Sequence, residues 1–479
     1  MKEVKYSLKE IITHCKNYGF IFASSEIYEG INSIYDYGPN GIALKNNLKK
    51  YWWKSMIQMN NEIVGLDSAI LTHEKIWRAS GHLEQFNDIM IDNKDSKLRY
   101  RIDELIDIKI QDFDNDINKA QTLKRDIDEC ISKKDLSKLF ELIKHYNILD
   151  PISKTSNWTK PKIMNMMFYT NINTDINSNN NVYLRPETAQ GIFINFNNIV
   201  KSNNLSIPFG VAQIGKAFRN EIIARQFIMR MKEFEQMELQ YFVIPKDNKY
   251  WYENWQKRRL QWHFNLLNKS KIKIKNHDQK SHYELEGSDI EYLFPFGFKE
   301  IEGIHLRGDY DLKRHQRCSK QNIKVFDKKN NTYYIPHVVE TSIGVDRLFL
   351  SILFDSFVIE NINNKQRFLL KLNPMLSPIK VAIMPLIQKN ELINISINIF
   401  HDIKFYTEAK YFIKNSIGKR YRKQDAIGTP YCITVDNNTL NDESVTLRYR
   451  DSMQQERIKI NYVKEKILSL LNDNELMNF

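Results

Sequence analysis

Two stretches of alternating residues carry side chains that could bind a nucleotide. One parity holds Gln213, Gly215, Ala217, Arg219 and Glu221 in the first stretch, and Arg230, Lys232, Phe234, Gln236 and Glu238 in the second. Because side chains alternate between the two faces of a strand, each set is expected on one sheet face. Arginines bind phosphates, an aromatic ring stacks on a base, and carboxylates bind an ammonium group. An amphipathic hairpin with a solvated face is the alternative, but such a face seldom mixes glycine, phenylalanine and opposed charges.

The elements that position these side chains are two strands with an apolar opposite face. Met237, Leu239, Tyr241 and Val243 form that face in the second stretch. The link from Ile222 to Met229 has the length of a loop, so the pattern predicts an antiparallel hairpin.

A further arginine lies at the start of a predicted helix. Thr341 to Arg347 follows a predicted strand and precedes an apolar helix face that includes Leu348 and Phe349. An arginine in the first helical turn adds its charge to the N-terminal dipole, which suits an anion. Taken alone, a glycine turn with a surface arginine is an equally good interpretation.

These segments resemble class II aminoacyl-tRNA synthetases. Phe218-Arg219-Asn220-Glu221, with Arg230, Phe234 and Glu238 at the right spacings, resembles motif 2, and Gly344-x-x-Arg347 resembles motif 3. The resemblance implies ATP and Mg²⁺, with Arg219 on the α-phosphate and the amino-acid carboxylate, and Glu221 on the adenine amino group. It places Phe234 on the adenine ring, Arg230 on the γ-phosphate, and Arg347 over the adenine and against the γ-phosphate. Other implied ATP contacts are Asn220, Met229, Met231, Lys232, Glu233, Ile301, Gly344, Val345 and Asp346, with Glu300 as a Mg²⁺ ligand.

Three segments, Leu184–Gly191, Glu233–Glu238 and Glu340–Gly344, resemble the family members that activate glycine. The resemblance implies that Glu187, Glu238 and Ser342 bind the α-ammonium group and crowd the α-carbon. A surface helix cap is the alternative interpretation of Glu187. Other implied glycine contacts are Arg101, Phe234, Glu235, Gln236, Met237, Arg307, Glu340, Thr341, Ile343 and Gly344.

Two other functions stay open from the sequence. One is a class II synthetase for serine, threonine or proline, which the clustered glutamates disfavour. The other is a non-catalytic relative that only binds RNA, which the retained arginines Arg219, Arg230 and Arg347 disfavour.

The chain has 479 residues, too many for one compact core. We expect an α+β catalytic domain built on an antiparallel sheet over 1–375, with a helical or irregular insertion at about 92–180 and a smaller one at about 245–285. A C-terminal α/β anticodon-binding domain with a mixed sheet is expected over 376–479. Ser7 and Glu10 predict the start of a first helix, and Pro39 opens a second. The second helix resembles motif 1, which implies a homodimer, and any exposed apolar area on it would need a partner.

A formal charge of +12 suits a polyanionic partner. The resemblance makes this a glycine tRNA, held by Lys419, Arg420, Tyr421, Arg422 and Lys423, although a solvated basic turn is the alternative. Neither DNA nor a membrane is an expected partner. Four widely spaced cysteines and a polar N-terminus indicate a cytoplasmic protein without a signal peptide.

Some positions depart from the family pattern. Asn93 and Ser96 stand where many relatives have cysteines, so no zinc site is expected in the insertion. Lys232 replaces an arginine that is frequent there, and Gly308 replaces a threonine.

Overall fold

The structure, a computed structural model, describes residues 6–111, 113, 116–172, 181–221, 226–277, 284–327, 330–362 and 364–472. Its helices are α1 Leu8–Asn17, α2 Pro39–Trp53, α3 Glu74–Ser80, α4 His82–Gln85, α5 Ile102–Gln111, α6 Ile117–Ser132, α7 Leu136–His145, α8 Ala189–Ile194, α9 Phe196–Asn203, α10 Asn248–Leu266, α11 Tyr310–Ser319, α12 Val345–Ser356, α13 Asn390–Ile403, α14 Ile417–Ile427, α15 Thr439–Asp442 and α16 Val463–Asn472. Its strands are β1 Ile21–Ala23, β2 Tyr35–Tyr37, β3 Ile63–Gly65, β4 Leu71–His73, β5 Asn87–Asp92, β6 Arg99–Arg101, β7 Lys162–Asn165, β8 Tyr169–Asn171, β9 Asn181–Leu184, β10 Phe209–Phe218, β11 Glu233–Val243, β12 Ile272–Asn276, β13 Glu286–Phe294, β14 Gly297–Gly308, β15 Val325–Asp327, β16 Thr332–Tyr334, β17 His337–Gly344, β18 Phe357–Ile362, β19 Lys365–Leu370, β20 Val381–Pro385, β21 Ala409–Tyr411, β22 Tyr431–Val435, β23 Ser444–Tyr449 and β24 Gln455–Lys459.

A seven-stranded sheet, in the order β12-β13-β14-β17-β11-β10-β3, is the frame of the larger part of the chain. All neighbouring pairs are antiparallel except β10 and β3. One face carries Met237, Leu239 and Ile343 into the main core, against α10 and α12. This confirms the predicted α+β fold on an antiparallel sheet.

The predicted hairpin is formed by β10 and β11. Gln213 pairs with Glu238, Gly215 with Gln236, and Ala217 with Phe234. Antiparallel register places directly paired residues on the same face, so the predicted polar set shares one surface. Residues 222–225 of the predicted link lie outside the described residues.

The two predicted helix starts are confirmed. The Ser7 hydroxyl accepts from the Glu10 main chain while the Glu10 carboxylate accepts from Ser7, which forms a capping box at α1. Pro39 is the first residue of α2. Leu44, Leu48 and Trp52 of α2 are buried in the chain's own core, so these three residues do not form the exposed apolar area that would need a partner.

A buried lysine of α2 connects strand β11 with helix α12. Lys45 Nζ lies 2.7 Å from Glu235 Oε2 on β11 and 2.8 Å from Asp346 Oδ1 on α12. The Glu235 main-chain N–H donates to the other Asp346 oxygen at 2.9 Å, and Tyr37 donates to the same carboxylate. These bonds fix the start of α12 against β11.

The segment from β5 to Trp158 has a hydrophobic core of its own, drawn from β5, β6, α5, α6 and α7. Asn93 Oδ1 accepts from the main chain of Asp95 and Ser96, and the Ser96 hydroxyl donates to Asp150. Hydrogen bonds therefore join the loops that contain Asn93, Ser96 and Asp150.

The segment at about 245–285, which was predicted as a smaller insertion, packs into the main body in its described residues. Trp255 and Trp262 of α10 are buried in the main core, and β12 pairs with β13 at the edge of the main sheet. Arg259 Nε and His263 Nε2 of α10 lie 2.7 and 2.6 Å from the two Glu302 oxygens on β14. This segment, in its described residues, is part of the main body.

The C-terminal part forms a five-stranded sheet in the order β21-β20-β22-β23-β24. β20 runs parallel to β21 and β22, whereas β22, β23 and β24 are antiparallel, so the sheet is mixed as predicted. Ile379 packs in the hydrophobic core of the main body, whereas Val381 packs in the separate hydrophobic core of the C-terminal part. The limit at 375 stays a prediction.

Ion pairs join the two parts. Asp425 of α14 accepts from Arg367 of β19 at 2.8 Å and from Arg448 of β23 at 2.8 and 3.0 Å, and all three side chains are buried. His14 of α1 contacts the Ala426 carbonyl at 2.8 Å.

No helix among the described residues is long and apolar enough to cross a membrane.

The buried Glu302 should stabilise the main body strongly. Replacing it with alanine leaves Arg259 and His263 buried without their carboxylate, so Glu302→Ala should lower the free energy of unfolding by about 3–5 kcal/mol. Urea unfolding followed by tryptophan fluorescence measures this loss.

Glu129→Ala is the matched control, because Glu129 pairs with Lys133 on an exposed face of α6. Its unfolding midpoint should equal that of the unchanged chain. Equal midpoints for both variants would contradict the role given to Glu302.

Candidate active site

A cavity of about 300 Å³ opens on the polar face of the main sheet, over β10, β11, β14 and β17. The predicted site residues that line it are Glu187, Arg219, Glu221, Met229, Arg230, Met231, Phe234, Gln236, Glu238, Glu300, Glu340, Ser342, Gly344, Asp346 and Arg347. Glu238 pairs with Ser342 across β11 and β17, which continues the polar face from the hairpin.

One end of the cavity is formed by an arginine between two aromatic rings. The Arg219 guanidinium carbon lies 5.3 Å from the Phe234 ring centroid and 5.4 Å from that of Phe86. Its Nε donates to the Pro186 carbonyl at 3.0 Å, beside Glu187. The sequence patterns did not indicate Phe86, which reaches the site from the loop before β5.

The second arginine, Arg347, projects from the start of α12 toward β14. Its Nη1 lies 2.8 Å from Glu300 Oε2, and its Nε donates to the Met229 carbonyl at 3.3 Å. Arg347 lowers the pKa of the Glu300 carboxyl below its usual range. The third arginine, Arg230, is 3.7 Å from Glu104 of α5.

The other end of the cavity holds three buried or half-buried carboxylates. Glu238 accepts from the Thr188 hydroxyl at 2.6 Å and from Gln240 at 2.8 Å. Glu340 accepts from Gln240 at 2.5 Å and from Arg307 at 2.9 Å. Glu187 Oε2 lies 3.2 Å from His82 Nε2.

The three carboxyl groups differ in their readiness to ionise. Burial opposes ionisation of Glu340, but Arg307 and His305 outweigh it and lower its pKa to about 2. Burial has the same effect on Glu187, where His82 and Arg307 lower the pKa. Glu238 is different, because burial and then the charges of Glu340 and Glu187 raise its pKa well above the usual value. Burial and the neighbouring charges therefore favour the protonated form of Glu238, whereas Glu340 and Glu187 favour the ionised form.

Several predicted site residues have side chains elsewhere. Met237, Ile301, Ile343 and Val345 are buried in the apolar core on the opposite sheet face, so only their main chain could meet a ligand. Glu235 is not in the lining and binds Lys45, whereas Asp346 lines the cavity and also binds Lys45, so both carboxylates are positioning groups. The buried Thr341 and the side chains of Asn220, Lys232 and Glu233 are not among the described lining residues.

Two predicted glycine-binding arginines lie outside the lining as well. Arg101 pairs with Asp103 at 2.7 Å and with Asp88 at 3.5 Å, so the structure does not bring it to the carboxylates. Arg307 is buried and reaches the site through Glu340, while its other edge binds Asp311 at 2.8 and 3.0 Å.

The two departures from the family pattern have structural correlates. Gly308 has φ +62° at a register shift between β14 and β17, a conformation that favours glycine over threonine. The Lys232 main chain accepts from Arg219 and donates to Ser33, so its backbone position is fixed.

His82 and His305 are site residues that the sequence analysis missed. His305 shares its parity on β14 with Gly303 and Arg307, a signal that could have found it. His82 lies at the start of α4, far from the sheet in sequence, and no spacing indicated it.

The predicted RNA-binding segment lies on α14, and only part of it is available. Lys419, Arg422 and Lys423 are exposed. Arg420 is wrong as an RNA contact, because it is 5% exposed and donates to the carbonyls of Pro385, Phe412 and Leu386. Tyr421 is half-buried, its hydroxyl bonds to Thr434, and its ring centroid lies 4.8 Å from the Arg448 guanidinium carbon, so its role as a stacking ring stays a prediction.

Comparison with known protein families assigns three regions. A profile described as the tRNA synthetase class II core domain (G, H, P, S and T) matches residues 169–357. The glycyl-tRNA synthetase insertion domain 1 matches residues 88–125, and the anticodon binding domain matches residues 380–470.

Comparison with curated proteins finds relatives along nearly the whole chain. The glycine–tRNA ligase of Chlorobaculum tepidum is 42% identical over 97% of this chain and 100% of its own length. That of Borreliella burgdorferi is 45% identical, covering 97% and 99% of the two chains. That of Staphylococcus aureus is 43% identical, covering 94% and 96%.

A solved structure shares the fold. The prolyl-tRNA synthetase of Cryptosporidium parvum, crystallised with L-proline and AMP, superposes with a TM-score of 0.61 over 97% of this chain and 76% of its own. At 14% identity this similarity shows the fold alone. Because the relatives act on glycine, the serine, threonine and proline alternatives and the non-catalytic alternative are set aside. The chain belongs to the glycine–tRNA ligases, a family of class II aminoacyl-tRNA synthetases.

Proposed function

We propose that the cavity binds glycine at its carboxylate end and ATP across the hairpin, as the family resemblance implies for the individual residues. The observation that supports this assignment is the position of Arg219, which contacts both the aromatic end of the cavity and the main chain next to its carboxylate end. Its guanidinium stacks with Phe234 while its Nε binds the main chain beside Glu187. One arginine can therefore contact the glycine carboxylate and the α-phosphate together.

The first reaction joins these two groups. The glycine carboxylate attacks the α-phosphorus in line, which forms glycyl-adenylate and releases pyrophosphate. Arg219 stabilises the charge at the α-phosphate, and Arg347 and Arg230 bind the γ-phosphate. Arg230 must then leave Glu104, to which its present contact is long and half-exposed.

The second reaction transfers glycine to the tRNA. A terminal ribose hydroxyl attacks the carbonyl carbon of the adenylate, and AMP departs with the bonding electron pair. Positioning and charge stabilisation account for most of this chemistry, so no side chain is required as a base.

Mg²⁺ would be held by Glu300 together with ATP phosphates, as the resemblance implies. The Glu300 carboxylate is open to the cavity and its lowered pKa keeps it ionised. Mg²⁺ commonly takes one or two protein carboxylates and completes its shell with phosphates and water, so this residue fits. The ion supplies charge neutralisation when bound.

Selection of glycine rests on charge and crowding. The glycine ammonium group competes with a proton for the Glu238 carboxylate, and Glu187 and Ser342 line the same space. A larger amino acid would need room for a side chain in a wall of bonded carboxylates, where overpacking is costly.

The exposed cations of α14 are proposed to bind the glycine tRNA. Lys419, Arg422 and Lys423 are exposed together on one helix. The family match of the C-terminal part to an anticodon binding domain supports this surface.

We also propose a cytoplasmic homodimer. The buried stripe of α2 gives no support to the dimer, but Ile42 on the same helix is 41% exposed and Met59 beyond it is 54% exposed. Sedimentation equilibrium of the full chain measures the oligomeric state.

Arg219→Ala should abolish most glycine activation. The variant lacks the charge at the α-phosphate, so glycine-dependent ATP–pyrophosphate exchange should fall by at least about 100-fold. Arg125→Ala is the control, since Arg125 is a largely exposed residue of α6. Exchange at the unchanged rate in Arg219→Ala would overturn the assignment.

Glycine binding should strengthen as pH rises. Burial and two neighbouring carboxylates raise the pKa of Glu238, so below that pKa glycine must expel a proton. The glycine Kd should therefore increase by up to about tenfold for each unit of pH decrease, and level off above the raised pKa. Calorimetry over a series of pH values upward from 4.5, the ordinary pKa of a glutamate, measures this dependence.

Glu238→Gln removes the titrating group and should bind glycine weakly with little pH dependence. Glu253→Gln, on the exposed side of α10, should keep the original slope. A Glu238→Gln protein that retained the full slope would show that another group carries the proton.

A further prediction concerns the proposed tRNA-binding surface of α14. Lys419→Ala, Arg422→Ala and Lys423→Ala combined should raise the KM for glycine tRNA by at least about tenfold and leave pyrophosphate exchange unchanged. Arg420→Ala should instead lower the melting temperature, because three carbonyls lose their buried donor. An unchanged KM in the triple variant would place the tRNA elsewhere.

A further inference from the structure

We propose that His277, Asp289 and His305 form a binding site for a divalent transition metal such as Zn²⁺ on the wall of the active-site cavity. Glu300, the residue proposed for Mg²⁺, is not one of the three ligands, and the existence of the site does not depend on the roles proposed for the substrate-binding residues.

Three neighbouring strands bring these side chains together. Asp289 on β13 pairs with Gly303 on β14, two residues before His305. His277 directly follows β12, and its main-chain N–H donates to the Gly287 carbonyl at 2.9 Å. The sheet register therefore fixes the backbone at all three positions.

The possible ligand atoms converge. His277 Nε2 lies 3.0 Å from Asp289 Oδ1, and one ligand atom from each of the three residues lies within 4.8 Å of the others. Ligand atoms in a tetrahedral zinc site lie roughly 3.4 Å apart, because each is about 2.1 Å from the ion. Small side-chain rotations would close the set around an ion.

The second nitrogen of each histidine contacts a carboxylate. His277 Nδ1 lies 3.1 Å from Glu284 Oε1, and His305 Nδ1 lies 2.9 Å from Glu340 Oε1. Metal-binding histidines usually donate their other N–H to a carboxylate, which orients the ring and fixes the tautomer. Both rings have this arrangement at Nδ1, and it assigns Nε2 as the ligand atom, with Glu284 Oε2 lying 3.8 Å from His305 Nε2.

The neighbouring glycine leaves space for this site. A Cβ at Gly303 would stand 2.9 Å from His305 Cε1, 3.2 Å from its Nε2 and 3.8 Å from Asp289 Oδ1. A larger residue would push the His305 ring away. Gly303 thus permits the close approach of His305 to Asp289.

The set is open on one side. The side chains of His277, Asp289 and His305 are 20%, 21% and 14% exposed, and all three line the cavity. Three protein ligands with a solvent-facing fourth position are typical of exchangeable zinc sites, where an oxygen of water or of a bound anion completes the shell. Two imidazole nitrogens favour Zn²⁺ or Co²⁺ over Mg²⁺.

The test is a metal titration of the full chain without ATP or glycine. After EDTA treatment and dialysis, Zn²⁺ is added in a calorimeter, and Co²⁺ binding is followed by its visible absorption. One equivalent of Zn²⁺ should bind, Co²⁺ should show bands of a four-coordinate ion, and Mg²⁺ at about millimolar concentration should not compete.

Asp289→Asn keeps the shape of the site but removes a charged ligand, and should weaken Zn²⁺ binding by at least about tenfold. His277→Ala should weaken it further, whereas His401→Ala, at an exposed position of α13, should bind as the unchanged chain does. Melting temperatures recorded without metal show whether each variant is folded.

Three outcomes overturn the proposal: no saturable equivalent of Zn²⁺, unchanged affinity in folded Asp289→Asn and His277→Ala, or an equal loss in His401→Ala. In each of these cases the histidines and Asp289 form a hydrogen-bonded network only. Glycine-dependent exchange with Mg²⁺ is measured separately, so failure of the metal site leaves the proposed substrate roles unaffected.

Discussion

The structure depends on holding several carboxylates close together in a buried place before any cation from the substrate arrives. Arg307 makes this possible, because it binds Asp311 and Glu340 with hydrogen bonds of 2.8–3.0 Å and also lowers the pKa of Glu187. The Gln240 amide donates to both Glu238 and Glu340, and so bridges the two carboxyl groups. Burial without such partners would be prohibitive. Arg307, which the family resemblance assigns to glycine binding, therefore acts through Glu340 and does not itself line the cavity among the described residues.

The register of the main sheet places the Glu238 carboxyl and the arginine end of the cavity on the same face. The register of β10, β11 and β17 places Arg219, Phe234, Glu238 and Ser342 on one face while Met237 and Ile343 pack beneath. Because the apolar face is pinned in the core, a slip by one residue would bury the polar set. Substrate geometry is thus determined by packing on the side that no substrate touches.

Much of this arrangement could be predicted from local spacing. Period two located the hairpin face, and the glycine before Arg347 located the start of α12. Contacts between residues far apart in sequence could not be predicted, as with His82 beside Glu187 and Phe86 beside Arg219. Spacing also failed where a charged side chain is buried: Arg420 reads as part of a basic surface, yet it satisfies carbonyls inside the C-terminal domain. Burial of a cation is set by unpaired acceptors around it, which a single sequence does not reveal.

The buried Lys45 has a consequence for how the chain responds to change at a distance. It bonds at once to Glu235 and Asp346, and Lys49, one turn further along α2, reaches the other Glu235 oxygen at 3.0 Å. A displacement of α2 must therefore break these pairs or carry β11 and α12 with it. A substitution that shifts α2 would then move β11 and the start of α12, which border the cavity, although no described residue of α2 lines it.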